Sequence, residues 1–187
     1  MVYWIIGLSG AGKTTLATKL YKTLKPEYPN TVLIDGDVIR NVFQHETMRD
    51  NLDPYSLEGR RINADRICEL CRWLNDQSIH VVCAVLSVFE ESRQWNRKHI
   101  SDYFEIYLEA NIQFLKKHRD YKGLYRSAQS DISQNIVGCD IPFIPPKKPD
   151  LVIQSEDING VDLQGVCNEI LDVSNFAPSA TSNEYAR

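Results

Sequence analysis

Gly7-Leu8-Ser9-Gly10-Ala11-Gly12-Lys13-Thr14 sets three glycines, a lysine and a hydroxyl side chain in the spacing G-x-x-x-x-G-K-[ST]. The chemistry open to these residue types is polyphosphate binding. Glycines let successive backbone N–H groups turn toward an anion. The start of a following helix adds its dipole and its unpaired N–H groups. Lys13 reaches β- and γ-phosphates, and Thr14 offers a hydroxyl to Mg²⁺. Gly10, Ala11, Gly12, Lys13, Thr14 and Thr15 are therefore the expected ATP-binding residues, with Lys13 also a catalytic candidate. A tight strand-to-helix turn explains the glycines but leaves the Gly12-Lys13-Thr14 register unexplained.

A second constellation follows at Asp35, Asp37 and Arg40. A kinase acting on a hydroxyl needs one carboxylate to orient that hydroxyl and accept its proton, and another near Mg²⁺. Asp35 and Asp37 lie just beyond an apolar run, where a parallel strand meets a ligand crevice. Extended backbone would point both to one side. Which of the two acts as base stays open, as does an Asp-Gly turn that only caps itself. Asp35 and Thr14 are the metal candidates, and Arg40 stands within reach of an anionic acceptor group.

Elements must hold these residues in place. Val2–Ile6 is apolar and reads as a strand; Leu16, Leu20 and Leu24 give the helical period over 13–24. Further strands are expected at 31–34, 80–86, 103–108 and 151–153. Helices are expected at 57–74, 90–97, 111–117 and 163–171. Residues 41–56 read as loop, or loop with a short helix. Strands that alternate with helices and stay apolar throughout imply a parallel sheet covered on both faces. The expected fold is a three-layer α/β P-loop NTPase of nucleotide-kinase type. The dinucleotide fold competes on topology, but Gly7, Gly10 and Gly12 miss its glycine spacing.

The chain has 187 residues, which suits one domain, here 1–173. Residues 119–149 are long for a connection and read as a lid; 174–187 read as a disordered tail. A net charge of −4 argues against a nucleic-acid partner. Five cysteines in no dense pattern suggest a reduced, cytoplasmic protein, and no stretch has the length of a membrane span. Cys68 and Cys71 read as core thiols rather than half a zinc site. Trp4 and Trp73 read as core, and none of the four histidines is assigned a role.

Asp35-Gly36-Asp37-x-x-Arg40 resembles the signature that follows the phosphate loop in adenylylsulfate kinases. The likeness continues through Tyr55, Arg60, Asn63, Ser87, Arg93, Arg119-Asp120, Lys122-Gly123-Leu124-Tyr125, Gly138 and Asp140-Ile141-Pro142-Phe143. It covers about residues 2–153. It implies transfer of the γ-phosphoryl group of ATP, with Mg²⁺, to the ribose 3′-hydroxyl of adenosine 5′-phosphosulfate. It also implies a homodimer. By resemblance, Asp37 stands nearest the accepting hydroxyl and Asp35 near the metal. Arg40, Arg60 and Asn63 hold the acceptor's phosphate-sulfate end and sugar, Tyr55 stacks on its base, and Ser87 ends the third strand. Arg119, Lys122 and Arg126 are cations expected to close over phosphates.

The departures fall on the acceptor side. Gln129 and Gln134 stand where the family keeps cations. Val88 replaces a proline, Glu90 a basic residue, and Ile136 the second aromatic of the base sandwich. A smaller base loses less from a one-sided stack. This resembles the branch that phosphorylates cytidine diphosphoramidate for capsule modification, as do Cys83–Phe89 and Trp95-Asn96-Arg97. The acceptor is thus a small nucleotide, adenosine- or cytidine-based. A non-catalytic nucleotide-binding module would not need Asp37 or the lid cations.

Overall fold

The computed structural model describes residues 1–43, 52–121, 123–127, 135–155 and 162–176. Five strands, β1 (Val2–Ile6), β2 (Thr31–Asp35), β3 (His80–Val85), β4 (Tyr103–Glu109) and β5 (Leu151–Gln154), form one parallel sheet in the order β2-β3-β1-β4-β5. Among the described residues the helices are α1 (Lys13–Leu24), α2 (Gly36–Val42), α3 (Leu57–Asp76), α4 (Glu90–His99), α5 (Ile112–His118), α6 (Leu124–Ser127) and α7 (Leu163–Val173).

Side chains alternate across a strand, so β1 feeds two cores. Tyr3 and Ile5 join Leu16, Leu20 and Leu24 of α1 and Ile170 of α7 on one face. Val2, Trp4 and Ile6 join Ile67, Cys68 and Cys71 of α3 on the other. Both faces are covered, which is why the strands carry apolar residues at consecutive positions. Chain order reverses at β1, whose neighbours are β3 and β4. A crevice opens beyond the strand ends at that switch point. A third, smaller cluster of Leu8, Leu115, Tyr125, Ile136, Val137 and Ile141 caps its rim.

Most strand and helix positions follow the sequence pattern, and the exceptions are informative. Gly36–Val42 is helical, where the sequence offers an Asp-Gly turn. Asp35 is its N-cap: the side chain accepts from the Asp37 N–H, and Asp37 lies in the first turn, favourable to the helix dipole. Trp73 is 57% exposed, because it lies on the outer side of α3 while Cys71 and Ile67 face inward. Ser174–Phe176, which the sequence assigns to the tail, still packs: the Phe176 ring meets Tyr28 at 4.7 Å and Tyr3 at 6.1 Å. The rest of the expected tail lies outside the described residues, as do Lys122, Gln129 and Gln134. Among the described residues no helix is long and apolar enough to cross a membrane.

Candidate active site

The loop between β1 and α1 carries Gly10 at φ +79° and Gly12 at φ +97°, left-handed angles that favour glycine. A Cβ at Gly10 would lie 2.8 Å from the Arg119 carbonyl oxygen, so the loop also needs the missing side chain for close approach. Gly12 is the N-cap of α1 and supplies no side-chain cap, and the first turn begins with Lys13, Thr14 and Thr15. That arrangement fits a phosphate chain. Lys13 Nζ donates to the Leu8 carbonyl at 2.9 Å, folding its side chain back along the loop.

Three distant groups brace this loop from outside. Tyr125 Oη donates to the Ser9 carbonyl at 2.8 Å; burial pushes its phenol up to about 12. Ser155 Oγ donates to the Ala11 carbonyl at 2.8 Å, and Arg119 Nη1 donates to both Ser155 O and Ser155 Oγ at 2.9 and 2.8 Å. Arg119 is buried, lies over the Phe114 ring and still lines the cavity. Ser155 carries no signal in the sequence; it follows β5 and is found only by its contacts.

Thr14 Oγ1 donates to Asp35 Oδ2 at 2.8 Å, so the two metal candidates converge. The other Asp35 oxygen accepts the Asp37 N–H at 2.9 Å. A hydroxyl and a carboxylate are a donor set suited to Mg²⁺, which takes one or two protein oxygens and completes its shell with phosphate and water. Asp37 does not share an extended backbone with Asp35 as the sequence implied. It projects from the first turn of α2, with Oδ1 accepting Arg40 Nη1 at 2.6 Å.

The crevice is a cavity of about 930 Å³, and Gly10, Gly12–Thr15, Asp35, Asp37, Arg40, Tyr55, Arg60, Asn63, Ser87, Arg119 and Ile136 all line it. At the end away from the phosphate loop, Arg40 and Arg60 lie 4.9 and 5.7 Å from the Tyr55 ring centre. Arg60 Nε donates to the Tyr55 carbonyl at 2.8 Å and Nη2 to the Asn135 carbonyl at 2.9 Å. Burial, and then the nearby Arg40 charge, hold the Arg60 guanidinium below its ordinary value. Asn63 Nδ2 donates to the Gly36 carbonyl at 3.4 Å, while Asn63 Oδ1 is buried without a partner, as is Arg40 Nε. Polar atoms in that condition on a cavity wall suit a polar ligand. Ser87 sits at φ +51°; its Oγ accepts Trp4 Nε1 at 3.3 Å and its carbonyl accepts buried Arg93 at 2.8 Å.

Asp53 and Asn135 also line this end, although the sequence did not single them out. The Asp53-Pro54 pair is a turn signal, and Asp53 Oδ1 indeed accepts the Tyr55 N–H at 2.9 Å. One expected cation is absent from the cavity. Arg126 is exposed and pairs with Asp120, because α6 turns its side chain outward. The N–H groups of Tyr125 and Arg126, outweighing burial, draw Asp120 below the ordinary carboxylate value. Trp95 stacks on His99 at 4.4 Å and does not line the cavity.

The adenylylsulphate kinase family model matches residues 1–154. A cytidine diphosphoramidate kinase of Campylobacter jejuni is 37% identical over 161 residues, which is 86% of this chain and 89% of that protein. An adenylyl-sulfate kinase of Halothermothrix orenii is 34% identical over 153 residues, 82% of this chain and 79% of that protein. Among solved structures, the Mycobacterium tuberculosis APS kinase in complex with AMPPNP and APS superposes with a TM-score of 0.75 at 27% identity, over 93% of this chain and 96% of that one. The matched span takes in the phosphate loop, Asp35, Asp37 and both arginines of the far end. The chain belongs to the adenylylsulphate kinase family and is an ATP- and Mg²⁺-dependent phosphotransferase of that type.

Proposed function

We propose that the chain transfers the γ-phosphoryl group of ATP to the ribose 3′-hydroxyl of a nucleoside with a 5′ anhydride group, and that cytidine diphosphoramidate is the preferred acceptor. In this reading Gly10, Ala11, Gly12, Lys13, Thr14 and Thr15 bind the ATP phosphates. Arg119 and Lys122 serve the nucleotide side of the lid, 119–149. Asp37 orients the acceptor hydroxyl and takes its proton as the bond to phosphorus forms. Arg40 now neutralises Asp37 and would turn to the acceptor's 5′ anions. Arg60 and Asn63 hold the sugar end, Ser87 borders it, and Tyr55 and Ile136 flank the base. Mg²⁺ held at Thr14 and Asp35 would neutralise charge developing on the phosphoryl oxygens.

The observation that carries the choice of acceptor is Ile136 on the cavity wall with Tyr55, its neighbour Asn135 being tied to Tyr55 through Arg60. Ile136 offers area but no π face. One lost aromatic face costs a stacked base about 1–3 kcal/mol, and a one-ring base forfeits less of it than a two-ring base. The 37% identity to a cytidine diphosphoramidate kinase supports the same choice. Phe43 offers no replacement platform: its ring takes the Arg66 guanidinium at 5.0 Å and it does not line the cavity. Adenosine 5′-phosphosulfate is the second reading, favoured by the adenylyl-sulfate kinases that match most of the chain.

The test is kcat/KM for both compounds on one preparation, with Ile136→Phe alongside. Cytidine diphosphoramidate is expected to be used at least as well as adenosine 5′-phosphosulfate. Ile136→Phe is expected to move preference toward adenine by about tenfold or more. A wild-type preference for the adenosine compound beyond about tenfold returns the chain to ordinary adenylylsulfate kinase. Two further expectations belong here. A homodimer is read by light scattering, and a monomer at assay concentration removes it. Five cysteines in no dense pattern suit a reducing, cytoplasmic setting.

A further inference from the structure

We propose that Asp53 is a specificity-determining residue, held in place by Asn135, that selects an acceptor base with an exocyclic amine over its oxo counterpart. The proposal rests on the reading above that the Tyr55 end of the cavity takes a nucleobase. Asp53 lines that end. Its Oδ1 accepts the Tyr55 N–H at 2.9 Å and its Oδ2 accepts Asn135 Nδ2 at 2.9 Å. A carboxylate has about four lone-pair sites, so two remain. The two bonds fix the carboxylate at the Tyr55 end of the cavity, and it can only accept. An amino group on a stacked base can donate to it; a carbonyl at the same position meets it lone pair to lone pair.

Asn135 is itself tightly placed. It adopts φ +69°, tolerated by asparagine better than by most residues. Its carbonyl accepts Arg60 Nη2, its N–H donates to Asp140 Oδ2, and the Ile136 N–H donates to Asp140 Oδ1 at 2.6 Å. Gly59, in the first turn of α3, lets the Asp53 turn approach: a Cβ there would lie 2.8 Å from Pro54 Cα. The carboxylate is thus fastened to Tyr55 on one side and, through Asn135, to the Ile136 turn on the other. Cytosine and adenine both carry the amine, uracil and hypoxanthine the carbonyl, so the selection applies to either acceptor.

The experiment measures kcat/KM within two pairs: cytidine against uridine diphosphoramidate, and adenosine against inosine 5′-phosphosulfate. Wild type is expected to favour the amino member by about ten- to a hundredfold. Asp53→Asn, whose amide can donate to a carbonyl, is expected to bring that ratio below about threefold. Asn135→Gly, which keeps the left-handed backbone but frees the carboxylate, is expected to lower it in part and to raise the acceptor KM while the ATP KM holds. Both variants are checked by thermal melting, and either one suffices for the comparison. A wild-type ratio near one, or a ratio unchanged within twofold in a folded variant, overturns the proposal. A purely structural role would slow both members of a pair alike and leave their ratio intact. Whichever pair is the better substrate decides the cytidine reading and leaves this one standing or falling on the ratio.

Discussion

The two ends of the cavity are built in opposite ways. The end we assign to ATP is one run, Gly7 to Thr15, that offers chiefly its own backbone and the start of α1. The end we assign to the acceptor is gathered from α2, the Asp53–Tyr55 turn, the first turns of α3 and the turn at Asn135–Ile136. Backbone recognition of phosphate tolerates little change in sequence but asks only for the local spacing. Side-chain recognition of a base and sugar can be retuned one residue at a time. This accounts for an intact family spacing in the phosphate loop beside departures at Val88 and Ile136, which line the cavity as side chains.

The sharpest attempt to break this contrast removes the single side chain on which the nucleotide end most depends. Lys13→Ala (K13A) is expected to lower turnover by roughly 10³ to 10⁵ while circular dichroism stays native, since the loop keeps its bracing from Tyr125 and Ser155. Activity within tenfold of wild type would contradict the role. Next in size, Asp37→Asn (D37N) keeps shape and removes charge and proton affinity. It is expected to reduce kcat by about 10² to 10⁴ with little change in ATP affinity. If ATP affinity collapses instead, Asp37 belongs to the nucleotide end and Asp35 becomes the base.

The smallest effect lies at the far end of the sheet. His80 Nδ1 is 3.2 Å from the chain's N-terminal nitrogen, and the Tyr28 and Phe176 rings pack on it. Burial first, and then the neighbouring ammonium, hold its imidazole below the ordinary histidine value. Between the lowered folded value and about 6.5 the unfolded chain binds more protons. Stability therefore rises with pH through that window and is lost on acidification. His80→Gln is expected to shrink the difference in Tm between pH 7.5 and 5.5 by about 1–3 °C, with kcat/KM untouched. An acid sensitivity that does not change would assign it to other groups.

The phosphate loop was legible as a strand–loop–helix because its information is local: a spacing, a strand before it and a helix after it. So were most elements, since both sheet faces are covered and the apolar runs are unbroken. The misreadings came where local signals compete. Asp35-Gly36-Asp37 carries both turn and helix-cap chemistry, and the cap prevailed because α2 packs against α3. Arg119 and Arg126 share one cationic segment in the sequence, yet Arg119 is drawn inward by Ser155 and Arg126 is held outside by Asp120. Asp53, Asn135 and Ser155 act through partners 36 to 144 residues away, a distance over which one sequence shows no pattern.

Those long spans bear on how the protein is made. Synthesis proceeds from the N-terminus, and early segments emerge first. The phosphate loop is complete as a motif once Thr15 has left the ribosome, but its supports arrive much later. Tyr125 reaches Ser9 across 116 residues and Ser155 reaches Ala11 across 144. The central strand β1 likewise waits for β3 and β4. A nascent chain therefore carries the binding motif long before it carries a binding site, and the nucleotide pocket matures only when nearly all of the family-matched span is out.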